Sequence, residues 1–575
     1  MSSYEVQPID GFDFAKLWDI AKNIKKANPD DERLFFPIGP DGLPDRSRTL
    51  LTKAACISSN TKGDNFAYYK VSETLDFVLL WKVPLIQLLA QMQRPPLGFG
   101  AGLFTMTHLI GDPIDTIWSL SFKLWRCTCQ ANDWIRLQGE EDWEIFTLIV
   151  TSYDEWGEGD RVQTLLSKAL KEAEGQDGND ERPILEADAT PLKDHRSPKL
   201  SGADIVRKAC REAALLLAAD RATQSIPVSV ASLAFIGAIV GAFVKSNNVA
   251  PKMSDAVTPH FIAFTVLYFW ILPAVVLSAA IGVSQAESAI PEILRRFRNE
   301  VASVGDCADL PQEQNLDITT RITSGGIYCW QRGKWNNKRA TAFLGCFALL
   351  VVASGVGVSS FMSYSAPPVG LGCRTMTSML FLATWVSSAI YTSALDRSNL
   401  GPISTYWGIF AKDLLLTLFI IGENVASHLG MFNRCNCWTN FGNGPLAFAL
   451  ETGVLDDIRR KIHITTKGGV GQWPGAVLGL FFLELLLLVI VAILSWRGIS
   501  VFLYDADKVM SKPTSKWWRP RHWKPQPNKA GLKKSPTDMK ERGQYESVDK
   551  SSVSKQSGSQ SRQSAGHNQD IAPSS

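Results

Sequence analysis

Residues 474–496 read PGAVLGLFFLELLLLVIVAILSW, an apolar run whose one ionisable side chain is Glu484. As a helix it would reach ~35 Å, more than the ~30 Å hydrocarbon core of a bilayer. Five further runs of similar character precede it: Ile226 to Val244, Phe261 to Val283, Ala342 to Ser363, Met376 to Ser393 and Ile409 to Gly430. In lipid every backbone polar group must be satisfied internally, so only helices or closed barrels cross it. Runs this continuous lack the alternation of a barrel strand. The sequence therefore predicts an all-α membrane protein: a polytopic helical bundle of about six transmembrane helices, a mainly helical N-terminal cytosolic region and a disordered C-terminal tail.

Mean hydropathy over the 575 residues is zero. Most of the chain is thus expected in water or at an interface, outside the apolar runs. Residues 1–31 contain Asp10, Asp13, Asp19, Asp30 and Asp31 and no continuous apolar segment, so no signal peptide is expected. Orientation follows from Lys and Arg near the ends of the runs. Arg207, Lys208, Arg211 and Arg221 precede the first run; Arg295, Arg296, Arg298, Arg332, Lys334, Lys338 and Arg339 separate the second and third; Arg497, Lys508 and Lys512 follow the sixth. An even number of spans puts both termini on one side, and these clusters make it the cytosolic side of a plasma or secretory-pathway membrane. Arg459, Arg460 and Lys461 oppose this but are balanced in part by Asp456 and Asp457.

Along the chain, residues 1–174 are expected to form a folded cytosolic or membrane-apposed region, because seven tryptophans from Trp18 to Trp156 are too many for a disordered tail. Within it, Phe77 to Met92 and Leu97 to Leu120 are apolar but interrupted, and read as interfacial or re-entrant segments. A hairpin of two extra spans there would give eight and keep the same orientation. Residues 175–203 read as a linker and 204–225 as a basic amphipathic helix. Residues 226–496 are the six-helix transmembrane domain, 497–527 a juxtamembrane Trp/basic segment and 528–575 the disordered tail.

Gly111-Asp112-Pro113-Ile114-Asp115 is the sharpest local signature. Asp112 suits a helix N-cap, Pro113 the first helical position, and Asp115 the free N–H groups of the first turn. The competing reading pairs the two carboxylates on a metal such as Mg²⁺; without a second acidic cluster the cap is preferred, and neither a metal nor a cofactor is expected. Glu423 and Glu484 are the most deeply placed ionisable groups in the runs, about 10 Å and 16 Å from the outer helix ends. With His428 nearer the mouth, and Lys412 on the face of Glu423, they form a candidate intramembrane polar site. Charge at such depth costs ~2.5–3.5 kcal/mol on insertion scales, so it faces protein or a water cavity. Gly237 to Gly241 and Gly475 to Gly479 are small-xxx-small patterns, expected to pack helices inside the bundle. Of the ten cysteines, Cys373, Cys435 and Cys437 fall outside, where disulfides persist; a bridge from Cys373 to one of the others is preferred, with a Cys435–Cys437 or intermolecular bond and free thiols as the alternatives. Lys516, Trp517, Trp518, Arg519, Arg521, Trp523 and Lys524 interleave rings and cations as a lipid anchor would. The expected partners are thus the bilayer and its anionic inner-leaflet lipids, and not nucleic acid.

No His-Glu-x-x-His, Gly-x-Ser-x-Gly or Walker motif occurs, so an enzyme is not expected. Gly111 to Asp115 followed by Trp118, with Asn433-Arg-Cys435-Asn-Cys437-Trp438, resembles a set of uncharacterised multi-pass membrane proteins of filamentous fungi. The resemblance implies an accessory role in metabolite handling. The expected function is a non-enzymatic accessory or scaffold protein, with a proton- or cation-coupled transporter or channel using Glu423 and Glu484 as the alternative.

Overall fold

The computed structural model describes residues 82–94, 97–139, 142–177, 202–222, 225–248, 257–284, 286–311, 338–365, 372–397, 402–432 and 472–504. All six apolar runs are helical within these residues. Run one is α7 (Ser225–Asn248), run two the pair α8 (Val257–Val266) and α9 (Ile271–Ile281), and run three α11 (Lys338–Ser365). Runs four to six are α12 (Cys373–Arg397), α13 (Pro402–Leu429) and α14 (Gln472–Leu494). Before them come α1 (Val83–Ala90), α2 (Gly98–Gly111), α3 (Pro113–Gln138), α4 (Trp143–Tyr153), α5 (Gly159–Asp177) and α6 (Gly202–Asp220). Between the second and third runs lies α10 (Ala289–Val301), and α15 (Trp496–Phe502) follows the sixth.

Four of these segments are long and apolar enough to cross a membrane: Ile262–Ile281, Lys338–Ser363, Cys373–Leu395 and Gly475–Leu494. Helix α13, which carries Lys412, Asp413 and Glu423, is not among them. The window in run two is 94% buried, against 28% for the last. Run two is therefore the axis of the bundle. The outer helices turn Leu349, Phe361, Leu418, Val425, Phe482 and Ile493 outward, an apolar coat suited to lipid.

The second run was expected to be continuous, but residues 267–270 break it. Pro273 has no N–H for the carbonyl of Phe269, and its ring crowds that turn. The chain answers with tight i→i−3 bonds: Tyr268 N–H to Thr265 at 3.0 Å, Phe269 N–H to Val266 at 3.0 Å and Ile271 N–H to Tyr268 at 3.1 Å. Beyond α9, Val283–Ser284 pairs antiparallel with Arg221–Ala222 just before α7. This two-residue ladder holds the start of run one beside the end of run two.

The N-terminal region is not separate from the membrane helices. Helix α2 packs most extensively on α13, and α3 lies against α9, α11, α12 and α15. The second half of α3 joins α4, α5, α6, α10 and α15 in a layer of more polar helices. There α10 buries Ile290, Leu294, Phe297 and Val301, one face of a helix, against the small residues Ala209, Ala213 and Ala214 of α6. The expected basic helix at 204–225 is α6, which starts two residues earlier and stops at Asp220 where the ladder begins. Arg126 of α3 meets Asp154 at 2.8 Å and Asp160 at 3.2 Å, tying α3 to the turn before α5. Burial pushes the Asp154 carboxyl upward, and the Arg126 guanidinium opposes that shift.

The expected packing role of the small-xxx-small patterns is not seen. A methyl group at Gly237, Gly241 or Gly479 would meet nothing within 4 Å.

Candidate functional site

Asp112 sits where α2 stops and α3 starts, with φ −140° and ψ 67°. Its Oδ1 accepts the N–H of Asp115 at 3.1 Å, and Pro113 follows at the first helical position. The cap read from the sequence is there. It is also part of something larger. Asp112 Oδ2 accepts from Thr392 Oγ1 at 2.7 Å and from Lys412 Nζ at 2.8 Å. Lys412 Nζ also donates to Ser388 Oγ at 2.6 Å, and lies 2.6 Å from Asp413 Oδ1 though off the hydrogen-bonding direction of that oxygen. The other oxygen of Asp413 meets His108 Nδ1 at 2.5 Å, and His108 Nε2 reaches Asp115 Oδ2 at 3.2 Å. Ser119, one turn along α3, lies 3.4 Å from that same oxygen.

The result is a closed chain, Asp115–His108–Asp413–Lys412–Asp112, laid across α2, α3, α12 and α13. Asp112, Asp115, Asp413 and His108 are fully buried, and the Lys412 side chain is 12% exposed. Ions in such surroundings are tolerated only when paired and hydrogen-bonded. The corner comes this close because Gly111 has no side chain: a Cβ there would lie 2.8 Å from the carbonyl oxygen of Asp413. Trp385 of α12 closes the other side, donating its indole N–H to the Ile110 carbonyl at 3.1 Å. Both oxygens of Asp112 and one oxygen each of Asp115 and Asp413 already hold hydrogen bonds within the protein, and the second oxygen of Asp413 faces the Lys412 ammonium. Among the described residues no group of three or more His, Cys, Asp and Glu side chains is arranged to hold a metal ion.

A second polar cluster lies at the break in run two. Lys82 Nζ donates to Asn424 Oδ1 at 3.0 Å and stands 5.2 Å from the ring centroids of both Phe264 and Tyr268, within cation–π range. Asn424 in turn donates to the Tyr268 hydroxyl. His428 Nδ1 lies 2.6 Å from the Asn424 carbonyl, and its ring meets Phe264 edge-on.

The polar site expected from Glu423, Glu484, His428 and Lys412 is not one site. Lys412 belongs to the ion network, and His428 to the Lys82 cluster. Glu423 is half-buried on α13 without a side-chain hydrogen bond to another described residue. Glu484 lies on α14, which packs chiefly on α11. Helix pitch correctly put Lys412 and Glu423 on one face, but not what that face meets. Asp413, His108, Thr392 and Ser388 were missed. The available signal was the Lys412-Asp413 pair inside an apolar run, together with His108 a few residues before Asp112. Cys373 is disulfide-bonded; Cys435 and Cys437 lie outside the described residues. So do Lys516, Trp517, Trp518, Arg519, Arg521, Trp523 and Lys524 and the tail after them. Comparison with family models, with curated proteins and with solved structures yields no match.

Proposed function

We propose that this is a six-span integral membrane protein with both termini in the cytosol, and that its buried ion network is the proton-binding element of a proton-coupled transporter or channel. The observation that carries this reading is the charge balance of the network. Even with His108 protonated, three carboxylates face two cations. A solvent-excluded set with one negative charge in excess comes to rest by holding an additional proton. Ionisable chains of this kind, on kinked or discontinuous helices inside a bundle, are what proton relays in membranes are made of.

Six spans with this orientation are supported by three observations. All six runs are helical, the second with a break, and two of the α13 charges, Lys412 and Asp413, are spent on the network rather than exposed to lipid. The ladder between Arg221–Ala222 and Val283–Ser284 keeps the start of span one beside the end of span two, as an out-and-back pair requires. The disulfide at Cys373 suits an oxidising compartment at the start of α12, which agrees with the Lys/Arg asymmetry.

Purified protein in liposomes, driven by a potassium-diffusion potential, should pass protons, and Asp413→Asn should abolish that flux while leaving the melting temperature in detergent within a few degrees. Flux unaltered by Asp413→Asn and Lys412→Met would overturn this reading. The second reading is a non-enzymatic accessory or scaffold protein in which the network is only a clamp. It is favoured by the layer of polar helices α4, α5, α6 and α10, which offers a large surface off the membrane. The fungal resemblance points the same way, and metabolite profiling of a deletion strain tests it.

A further inference from the structure

Helix α14 shows one stripe to the bundle. Val477, Leu480, Glu484, Leu487 and Val491 are buried, while Leu478, Phe482, Leu485, Leu486, Val489 and Ile493 are exposed. The buried positions follow the period of one helix face. Glu484 is the one polar residue in that stripe, 1% exposed and at the middle of the 23-residue helix. Neither carboxyl oxygen has a hydrogen-bond partner among the described residues.

Among the described residues, the elements that pack chiefly against α14 are α11, α9 and α15, and they offer no cation at its middle. Helix α9 has no titratable side chain. In α11 these are Lys338 and Arg339 in the first turn, Cys346 on an exposed face and Tyr364 in the last turn. In α15 the titratable group is Arg497, exposed beyond the end of α14. A carboxylate placed here would lack both a counter-ion and donors, whereas a neutral acid would lack only a hydrogen bond.

We propose that Glu484 is a proton-binding site. In this packed state it is a neutral carboxylic acid, and it gives its proton to water, leaving a carboxylate, only when α14 parts from α11 far enough to hydrate it. The site is independent of the network on α2, α3, α12 and α13, so either can fail without the other.

Infrared difference spectroscopy on the full chain in lipid reads this directly. Wild type minus Glu484→Gln should contain the C=O stretch of a protonated carboxyl at pH 7 and still at pH 9, and that band should move slowly after transfer to D₂O. Glu484→Asp keeps the carboxyl, should displace the same band, and serves if the glutamine variant does not fold. A difference spectrum with only carboxylate bands overturns the assignment, and a band that exchanges at once overturns its gating by the α14–α11 contact.

Discussion

Lys412 is the residue on which the ion network turns, because it alone bridges Asp112 and Asp413. Lys412→Met should leave Asp112 without its cation and Asp413 with His108 alone, and destabilise the protein by about 3–5 kcal/mol. Adding Asp112→Asn should recover part of that loss, since the orphaned charge goes with it. Thermal melting of the single and double variants in detergent measures the coupling, and strict additivity would mean that the two residues do not share an interaction. Gly111→Ala should cost about 1–3 kcal/mol, because the added methyl meets the Asp413 backbone with little room to shift. Gly241→Ala, with open space around it, should stay within about 0.5 kcal/mol. The cap at Asp112 could be read from sequence because Asp, Pro and Asp in that order act within one turn. Its ties to Thr392 and Lys412 could not, because they come from helices distant in the chain and leave no periodic trace near residue 112.

Helices were legible where one physical demand dominated their composition. Runs three, four and six are dominated by apolar residues and are long enough to cross a bilayer, and their extents in the structure follow the apolar stretches within a few residues. Run five combines an apolar outer face with an inner one committed to the network, so its charges lower its hydropathy. Run two looked continuous although Pro273 was in plain view, since proline inside an apolar helix can kink or break it and sequence does not say which. Helix α3 reads as two things because it is two things: its first half lies among the membrane helices and its second half in the polar layer. Cys129 in that second half offers a check on its surroundings. Burial, with Asp133 adding to it, pushes the thiol up to about 11. The reactive thiolate is thus scarce at pH 8, and maleimide labelling of Cys129 should rise about tenfold per pH unit towards pH 10. Cys210, fully buried with its thiol also pushed up by burial, should stay unlabelled until the protein unfolds. Rapid labelling of Cys210 in the native state would contradict the α6–α10 packing.

At the scale of the molecule the prediction is topology. A glycosylation acceptor fused after Ser575 should remain unmodified, and one inserted in the connection between α11 and α12 should be modified, because the proposed orientation puts the start of α12, with the disulfide at Cys373, on the oxidising side. Peptide mapping without reduction should recover Cys373 joined to Cys435 or Cys437; finding it alkylated before reduction would remove one support of the orientation. The number of apolar runs was plain from the sequence, since each run states its own length. That the region before them is built into the bundle was not, because α2 reads as a poor span by itself and acquires its place only from α13.

The interruption of run two bears on how the protein is made. Helices α8 and α9 are 10 and 11 residues long, so each covers only about half of a ~30 Å core. Between them the carbonyls of Val266 and Leu267 face Gly355 of α11, at which a Cβ would be 3.3 Å from the first. When run two leaves the ribosome, α11 has not yet been synthesised, so although the Val266 carbonyl already accepts the Phe269 N–H, the break lacks the close cover that Gly355 gives it. The central segment is therefore expected to stay with the insertion machinery until the third run arrives. Ribosome-bound chains truncated before α11 should cross-link to the translocon through residues 266–270, and chains extended past α12 should not.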